Sequence, residues 1–457
     1  MLIPTQQNVI HIRLALAIAA LLPACFHPTY DQPACGYGGE CPAGMTCGLQ
    51  GICEVPGDSS GTPLDASSDS STDARVDAPG ATPQASFTPS NRIDPTWSAS
   101  LTGIVTISAN TMFDADTGAI SGGLTRAGIT GEDSVIGYFQ VPALGAGGSP
   151  LAVFTFHGLE IDHAATVVST GTRAVVLLIG GSAVIDGTID VAAGHANNWS
   201  PGPGGGAGGH GIVVADGCGG GNPGSRDSAD DGGGAGGGAG GGGGRGGDAF
   251  TALGFPSAAG GGVRATCLPG ELEPLQGGSG GGRGSGMFTT DFAPGGGGGG
   301  ALQITALGSL VITGTIDAGG AGGESGSADE VDPGSGAGGG AGGAVLLESP
   351  SVMLSSAGAV AANGGGGGAG GSDFVGRPGE HAHVSTNPAA GGTSNATGGP
   401  GGGAGGASAF VASAGTDGGH DAAGGGGGVG AIVIRSRLSI VMGTTSPAAV
   451  ELQLKPL

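Results

Sequence analysis

The sequence predicts an all-β protein, a right-handed parallel β-helix or solenoid with glycine-rich insertions. Three observations favour this class. Short runs of β-branched residues alternate with turn residues from Ile104 onward. A repeat of two aliphatic strands joined by a turn recurs along the chain, and each copy is followed by a glycine tract. No segment has the apolar spacing of an amphipathic helix.

The first strands are predicted from four runs rich in Val, Ile, Phe and Thr. These runs are 104–107, 135–141, 153–156 and 165–168. Turn residues separate them, as expected for short strands of a repeating β architecture.

The internal repeat is clearest between residues 174–190 (AVVLLIGGSAVIDGTID) and 301–317 (ALQITALGSLVITGTID), which align without a gap. A third copy begins at Ala344 and a fourth at Ala431. Such copies predict one supersecondary unit that stacks on its neighbours. Runs such as VVLLI are almost continuously apolar, which indicates strands buried on both faces.

Glycine tracts occupy 204–247, 277–300, 318–343, 363–371 and 391–428. The chain contains 111 glycines and 27 prolines among its 457 residues. They follow no strict Gly-X-Y period, which excludes collagen. Two interpretations stay open. The tracts are insertions from one corner of the solenoid that pack backbone to backbone in a polyglycine-II-like lattice, or they are flexible loops.

The N-terminus predicts export. Arg13 precedes an apolar run, 14–22, that is too short to span a bilayer. The run ends in Leu-Pro-Ala-Cys25, which resembles the lipobox of bacterial lipoproteins. The resemblance implies a signal peptide over 1–24 and a diacylglycerol on Cys25. Phe26 after the cysteine favours delivery to the outer membrane, where the protein would be either surface-exposed or periplasm-facing. The rival interpretation is an ordinary cleaved signal that happens to contain a cysteine.

Removal of Cys25 from the count leaves six cysteines, an even number that suits an oxidising compartment. Residues 25–53 are predicted to be a lipidated N-terminus with a disulfide knot, although a zinc site is the rival. The segment is similar to small Cys-rich knots that follow the lipobox in some bacterial surface lipoproteins. The disulfide candidates are Cys35, Cys41, Cys47, Cys53, Cys218 and Cys267.

Residues 54–90 are rich in Ser, Asp, Thr and Pro and predict a disordered acidic linker, which leaves 91–457 as the β-helical domain. The chain has a formal net charge of −23. That charge excludes a nucleic-acid partner, because such partners require clustered Lys and Arg.

Residues 100–457 resemble glycine-rich, lipobox-bearing surface proteins of Gram-negative bacteria with β-helix bodies. The tracts resemble those of PE-PGRS proteins and of polyglycine-bearing phage tail adhesins, although the PE domain is absent. The resemblance implies a structural or adhesive scaffold that contacts polysaccharide or other cells. The alternative is a polysaccharide-processing, pectinase-like β-helix enzyme, either active or with a degenerate active site.

No catalytic residue is assigned, and the expectation is that the chain is not an enzyme. Gly209-His210-Gly211 matches one element of polygalacturonases, but the other elements of that family are missing. Asp190 and Asp317 end equivalent strands and could stack two carboxylates. Asn363 and Thr445 stand near the equivalent positions of later copies, which favours a turn-capping role for the two aspartates.

No metal or other cofactor is assigned, with calcium as the one open option. Residues 243–251 fit the calcium-binding nonapeptide pattern once, whereas that site needs successive copies. Glu380-His381-Ala382-His383 offers two imidazoles in a loop, but the sequence shows no third ligand.

Overall fold

The computed structural model describes residues 46–47, 53–54 and 86–457, the last range without 134, 146, 228–229, 251–255, 263–265, 287–291, 328–333, 372–375 and 395–398. The predicted signal peptide, Cys25, Cys35, Cys41 and residues 55–85 of the predicted linker lie outside the described residues. Two compact units are present, 1–79 and 80–457. In the first unit, β1 (Thr46–Cys47) and β2 (Cys53–Glu54) pair antiparallel, with Cys47 opposite Cys53.

Regular structure in the described part of the second unit is almost entirely β-strand, without an α-helix. Two 3-10 turns, η1 (Ser90–Arg92) and η2 (Pro95–Ser98), come first. The strands before the first glycine tract are β3 (Ile104–Ile107), β4 (Thr111–Asp114), β5 (Ile120–Gly122), β6 (Gly131–Glu132), β7 (Gly137–Val141), β8 (Leu151–Phe156), β9 (Gly158–Ile161), β10 (Thr166–Thr170), β11 (Ala174–Ile179), β12 (Ala183–Ile185) and β13 (Thr188–Asp190).

The remaining strands lie within or after the glycine tracts. They are β14 (Arg226–Asp227), β15 (Asp230–Asp231), β16 (Ala249–Phe250), β17 (Pro256–Ala258), β18 (Ala301–Ala306), β19 (Ser309–Ile312), β20 (Thr315–Asp317), β21 (Ala344–Glu348), β22 (Ser351–Leu354), β23 (Ala359–Ala361), β24 (Ala431–Arg435), β25 (Leu438–Val441), β26 (Thr444–Ser446) and β27 (Val450–Leu452).

The described strands form three large sheets. Sheet 1 has the order β27-β24-β21-β18-β11-β8-β7-β6, sheet 2 has β25-β22-β19-β12-β9-β3, and sheet 3 has β26-β23-β20-β13-β10-β4-β5. Each passage of the chain adds one strand to sheet 1, then one to sheet 2, then one to sheet 3. Five such strand triplets, from β8-β9-β10 to β24-β25-β26, pair parallel with their neighbours. The all-β prediction and its parallel strands are therefore confirmed.

The register of the triplets follows the sequence repeat. Ile189 pairs with Ile316 and Asp190 with Asp317, which is the offset of the gapless alignment. The copies that begin at Ala344 and Ala431 continue the same sheets. The structure adds one triplet, β8-β9-β10, that the repeat had not included, because its run before β9 lacks the Gly-Ser turn.

Two apolar cores lie on opposite faces of sheet 1. One is shared by all three sheets and is filled mainly by Ile, Val, Leu and Phe side chains. The other lies on the outer face of sheet 1 and includes Ile93, Leu272 and Leu275. Strands β8, β11 and β18 are consequently buried at every position. The run VVLLI predicted this for β11, whereas β18 also buries the polar Gln303 and Thr305.

The segment 86–98, named the strap, belongs to this second core. Arg437 donates a hydrogen bond to the carbonyl of Ser86 at 2.6 Å, and the amide of Thr88 donates to the carbonyl of Lys455 at 3.1 Å. At the other end of the strap, Trp97 stacks on Phe139 with ring centroids 4.7 Å apart. The strap therefore runs from the last strands of sheet 1 to the first, and the body begins before residue 91.

The glycine tracts, named the glycine block, follow the sheet 3 strands β13, β20 and β23 and are joined to one another by backbone hydrogen bonds. Within 336–344 the amides form three sets, each with a spacing of three residues. The first set, 336, 339 and 342, donates to carbonyls within 422–428. The second set, 337, 340 and 343, donates to carbonyls within 318–324. The third set, 338, 341 and 344, donates to carbonyls within 279–300. Tract 364–370 divides in the same way among three neighbours. The described tracts are thus ordered, and the flexible-loop interpretation does not hold for them.

Glycine is required in this block because the backbones touch. A Cβ on Gly340 would overlap the carbonyl oxygen of Gly297, and one on Gly365 would overlap that of Ala321. Cys218 and Cys267, both in the longest insertion, form a disulfide with their Cα atoms 5.8 Å apart.

Candidate functional site

Sheet 3 presents a row of outward side chains that crosses its strands. Side chains alternate between the two faces of a strand, and Val167, Ile189 and Ile316 point into the shared core. Their neighbours therefore face outward. Met112 pairs with Val168, Val168 with Asp190, and Asp190 with Asp317. The next partners in this row are Ala361 and Ser446.

The equivalents of the two aspartates in the later copies are Ala361 and Ser446, two residues before Asn363 and one residue after Thr445. Each aspartate does make the hydrogen bond expected of a turn-capping residue. Oδ1 of Asp190 accepts from the amide of Ala192 at 2.9 Å, and Oδ1 of Asp317 accepts from the amide of Gly319 at 2.8 Å.

Asp317 has a carboxyl that resists ionisation. Burial, with the neighbouring Asp190 carboxylate as the second cause, raises the pKa of Asp317 from 3.8 to about 6. The Gly319 amide, His195 and His383 act in the opposite direction. Adjacent parallel strands stand about 4.8 Å apart, so two like charges at this spacing oppose each other.

His195 lies over the same pair and was missed by sequence reasoning. Its Nε2 lies 3.2 Å from Oδ1 of Asp190. This hydrogen bond is the main cause that raises the pKa of His195, against the effect of burial. The only available signal was an imidazole five residues after the strand-ending Asp190, and the aligned position in the next copy is Gly322.

The loop that contains Glu380, His381 and His383 approaches the cluster from the glycine block. The amide of Ala382 donates to the carbonyl of Gly320 at 2.9 Å, which places the loop next to the turn after Asp317. The ring of His381 lies so close to Gly194 that a Cβ there would contact it. Burial, followed by the charges of His383 and His195, lowers the pKa of His381. The two sequence candidates, the aspartate pair and the His-X-His loop, are thus brought together.

A groove of about 650 Å³ begins at His195 and continues along the outer face of β10, β4 and β5. Its polar lining includes Asn110, Ser121, Thr166 and Thr170, and Met112 supplies an apolar surface that is 48% exposed. Grooves that bind small molecules have volumes of roughly 300–1,000 Å³. We name the groove and the Asp190–Asp317–His195 cluster together the sheet 3 site.

The sheet 3 site can transfer protons. A carboxyl with a pKa of about 6 and a neighbouring carboxylate paired with an imidazole are two acid–base groups in different environments. Within the described parts of the chain, no three His, Cys, Asp or Glu side chains converge on a point that could hold a metal ion.

The other sequence candidates lie elsewhere. His210 sits in a hairpin turn, where its Nδ1 contacts the carbonyl of Gly208 at 2.9 Å and its ring stacks on Trp199. In the single nonapeptide match, the carboxylate of Asp248 is bound by Arg245 and by the amide of Gly260. These contacts lower the pKa of Asp248 although burial alone would raise it.

Exposed apolar side chains occur at two hairpin turns of the glycine block. Ile212 and Val214 are 80% and 64% exposed, and Phe410 and Val411 are 57% and 86% exposed. In the described residues no helix is both long enough and apolar enough to cross a bilayer.

Comparison with family models, with curated proteins and with solved structures finds no match to this chain.

Proposed function

We propose that this chain is an outer-membrane lipoprotein whose rigid body serves as a structural or adhesive scaffold at the cell surface. The export signal and Cys25 support the location, and the body supports the role. Contact with polysaccharide or with other cells is the proposed activity.

The proposed architecture is a right-handed parallel β-helix. Three parallel sheets that share one core, and strands that visit the sheets in a fixed order, support a solenoid. Crossover connections between parallel strands of one sheet are right-handed in almost all proteins, which supports the hand. The period of three in the hydrogen bonds of the glycine tracts supports a polyglycine-II-like lattice, because that helix has three residues per turn.

The observation that carries the scaffold role is the position of the strap. The chain enters the body beside Lys455, at the last strands, and the rest of the stack lies between that point and β3. A body attached by one end, stiffened on one side by strands and on the other by a hydrogen-bonded glycine block, is suited to display surfaces away from its tether.

The test uses the mature chain with Cys25→Ser, so that it is free of lipid. The protein is incubated with a panel of soluble polysaccharides and with whole cells, and retention and new chain ends are scored together. The proposal expects retention without new ends. Absence of retention on every polysaccharide and cell type contradicts it.

A second function, polysaccharide processing, is favoured by one observation, the pairing of Asp190 with Asp317 beside His195. Glycoside hydrolysis uses two carboxyl groups at a fixed spacing in unequal environments, and burial with the Asp190 charge raises the pKa of Asp317 to about 6. New chain ends that disappear in the double variant Asp190→Asn, Asp317→Asn would favour this enzyme over the scaffold.

A further inference from the structure

We propose that the sheet 3 site is a glycan-binding groove, that it takes a glycan chain without acidic groups, and that it is displayed at the end of the body farthest from the tether. The inference rests on the proposed function and names the surface and the ligand class that the function requires. The tests below separate failure of the groove from failure of the scaffold.

The lining of the groove matches the chemistry of a sugar. The hydroxyls of Ser121, Thr166 and Thr170 and the amide of Asn110 can exchange hydrogen bonds with sugar hydroxyls. Met112 and Val168 lie side by side in adjacent strands and offer an apolar surface to the C–H face of a pyranose ring. Successive strands repeat about every 4.8 Å, a distance comparable to one sugar unit of an extended glycan.

The charges of the site select against acidic polymers. No Lys or Arg is among the residues that line the groove, and its one ionisable lining residue, His195, is already bonded to Asp190. Asp190 and Asp317 add negative charge at the same end. A carboxylate or phosphate polymer would meet this charge in a chain with a net charge of −23. A neutral glycan meets no such repulsion.

The position of the groove is suited to display. It lies on β5, β4 and β10, the first strands of sheet 3, while the strap enters beside the last strands. Five strand spacings separate β4 from β26 in the sheet order, or about 24 Å. The strap therefore joins the body at the opposite end from the groove.

The test measures affinity for a soluble mixed-linkage β-glucan and for chitohexaose, with polygalacturonate as the acidic comparison. The protein is the full mature chain with Cys25→Ser. Ser121→Arg fills the groove from an exposed position, and His195→Ala removes its polar end. Thr106→Arg is the matched control, because Thr106 is exposed on β3 at the same end of the body but in sheet 2. We expect Ser121→Arg to weaken binding of a neutral glycan at least tenfold, and Thr106→Arg to change it less than twofold.

Other results overturn the groove in distinguishable ways. Neutral glycan binding that is unchanged in Ser121→Arg, or lost in Ile212→Ser with Val214→Ser, assigns contact to another surface and leaves the scaffold intact. Binding of polygalacturonate alone contradicts the ligand class. Absence of binding to every polysaccharide, together with absence of retention on cells, removes both the groove and the proposed function.

Discussion

Asp317→Asn is expected to stabilise the protein at neutral pH. The Asp317 carboxyl is held near Asp190 and is largely withdrawn from water, so its charged form is unfavourable in the folded state. Asparagine has nearly the same shape and keeps an oxygen that can accept the 2.8 Å hydrogen bond from the Gly319 amide. The substitution therefore removes the charge with little change in packing.

The magnitude follows from the pKa of Asp317, which rises from 3.8 to about 6 on folding. The unfolded chain releases this proton first, so the folded state binds more protons between these two values. Stability consequently falls as pH rises through this window, and the full cost is present above it. Each pKa unit corresponds to about 1.4 kcal/mol, so the charged carboxylate costs about 3 kcal/mol at pH 7.5. Below pH 3.8 the cost vanishes.

The assay is urea unfolding of Asp317→Asn and of the parent chain at pH 7.5 and at pH 3.5. The expected gain in free energy of unfolding is about 3 kcal/mol at pH 7.5 and near zero at pH 3.5. Asp216→Asn is the control, because Asp216 is exposed and such substitutions usually stay within about 0.5 kcal/mol. An equal gain at both pH values, or a loss at pH 7.5, would refute the electrostatic reasoning.

Three further substitutions test other parts of the molecule. Gly340→Ala should destabilise the body by about 3 kcal/mol or more, because its Cβ would overlap a backbone carbonyl, whereas Gly419→Ala, which has open space, should be near neutral by urea unfolding. Asn91→Ala should cost about 3 kcal/mol by the same measurement, because it leaves the buried carbonyl of Leu272 and amide of Leu275 without their strap partner. Cys25→Ser should abolish palmitate labelling and outer-membrane fractionation in cells, and a variant that retains both contradicts the lipid anchor.

The strands could be predicted because their signal is local. Runs of Val, Ile and Leu with turns between them gave β3, β8 and β10 to within two residues. The register could also be predicted, because a gapless repeat forces Asp190 and Asp317 into equivalent positions, and the ladder pairs them. Strong local patterns and a strict repeat therefore carried the prediction from single strands to parallel sheets.

The strap could not be predicted, since it depends on contacts between distant residues, and His195 was missed because the next copy of the repeat has Gly322 at the aligned position. Residues 86–90 have the composition of the preceding linker, yet Ser90 lies against Glu348, 258 residues away, and donates to its carboxylate. Burial raises the pKa of that Glu348, although Ser90, Thr305 and Arg435 act against the rise. No sequence pattern predicts a hydrogen-bond partner at such a separation. The glycine tracts likewise read equally well as loops, because their order comes from bonds between tracts.

The distribution of side chains over the three sheets argues for sheet 3 as the working surface. The outer face of sheet 1 is covered by the strap and by Leu272 and Leu275, so it cannot receive a ligand. The outer row of sheet 2 runs through Thr106, Glu160, Val184, Val311, Met353 and Ile440, so its two polar members lie at the β3 end and the other four are apolar. Sheet 3 combines hydroxyls, an imidazole and a carboxylate pair beside a groove. Asp317, whose pKa is raised by burial and by the charge of Asp190, belongs to this same surface, and groups with such shifted pKa values concentrate at functional sites.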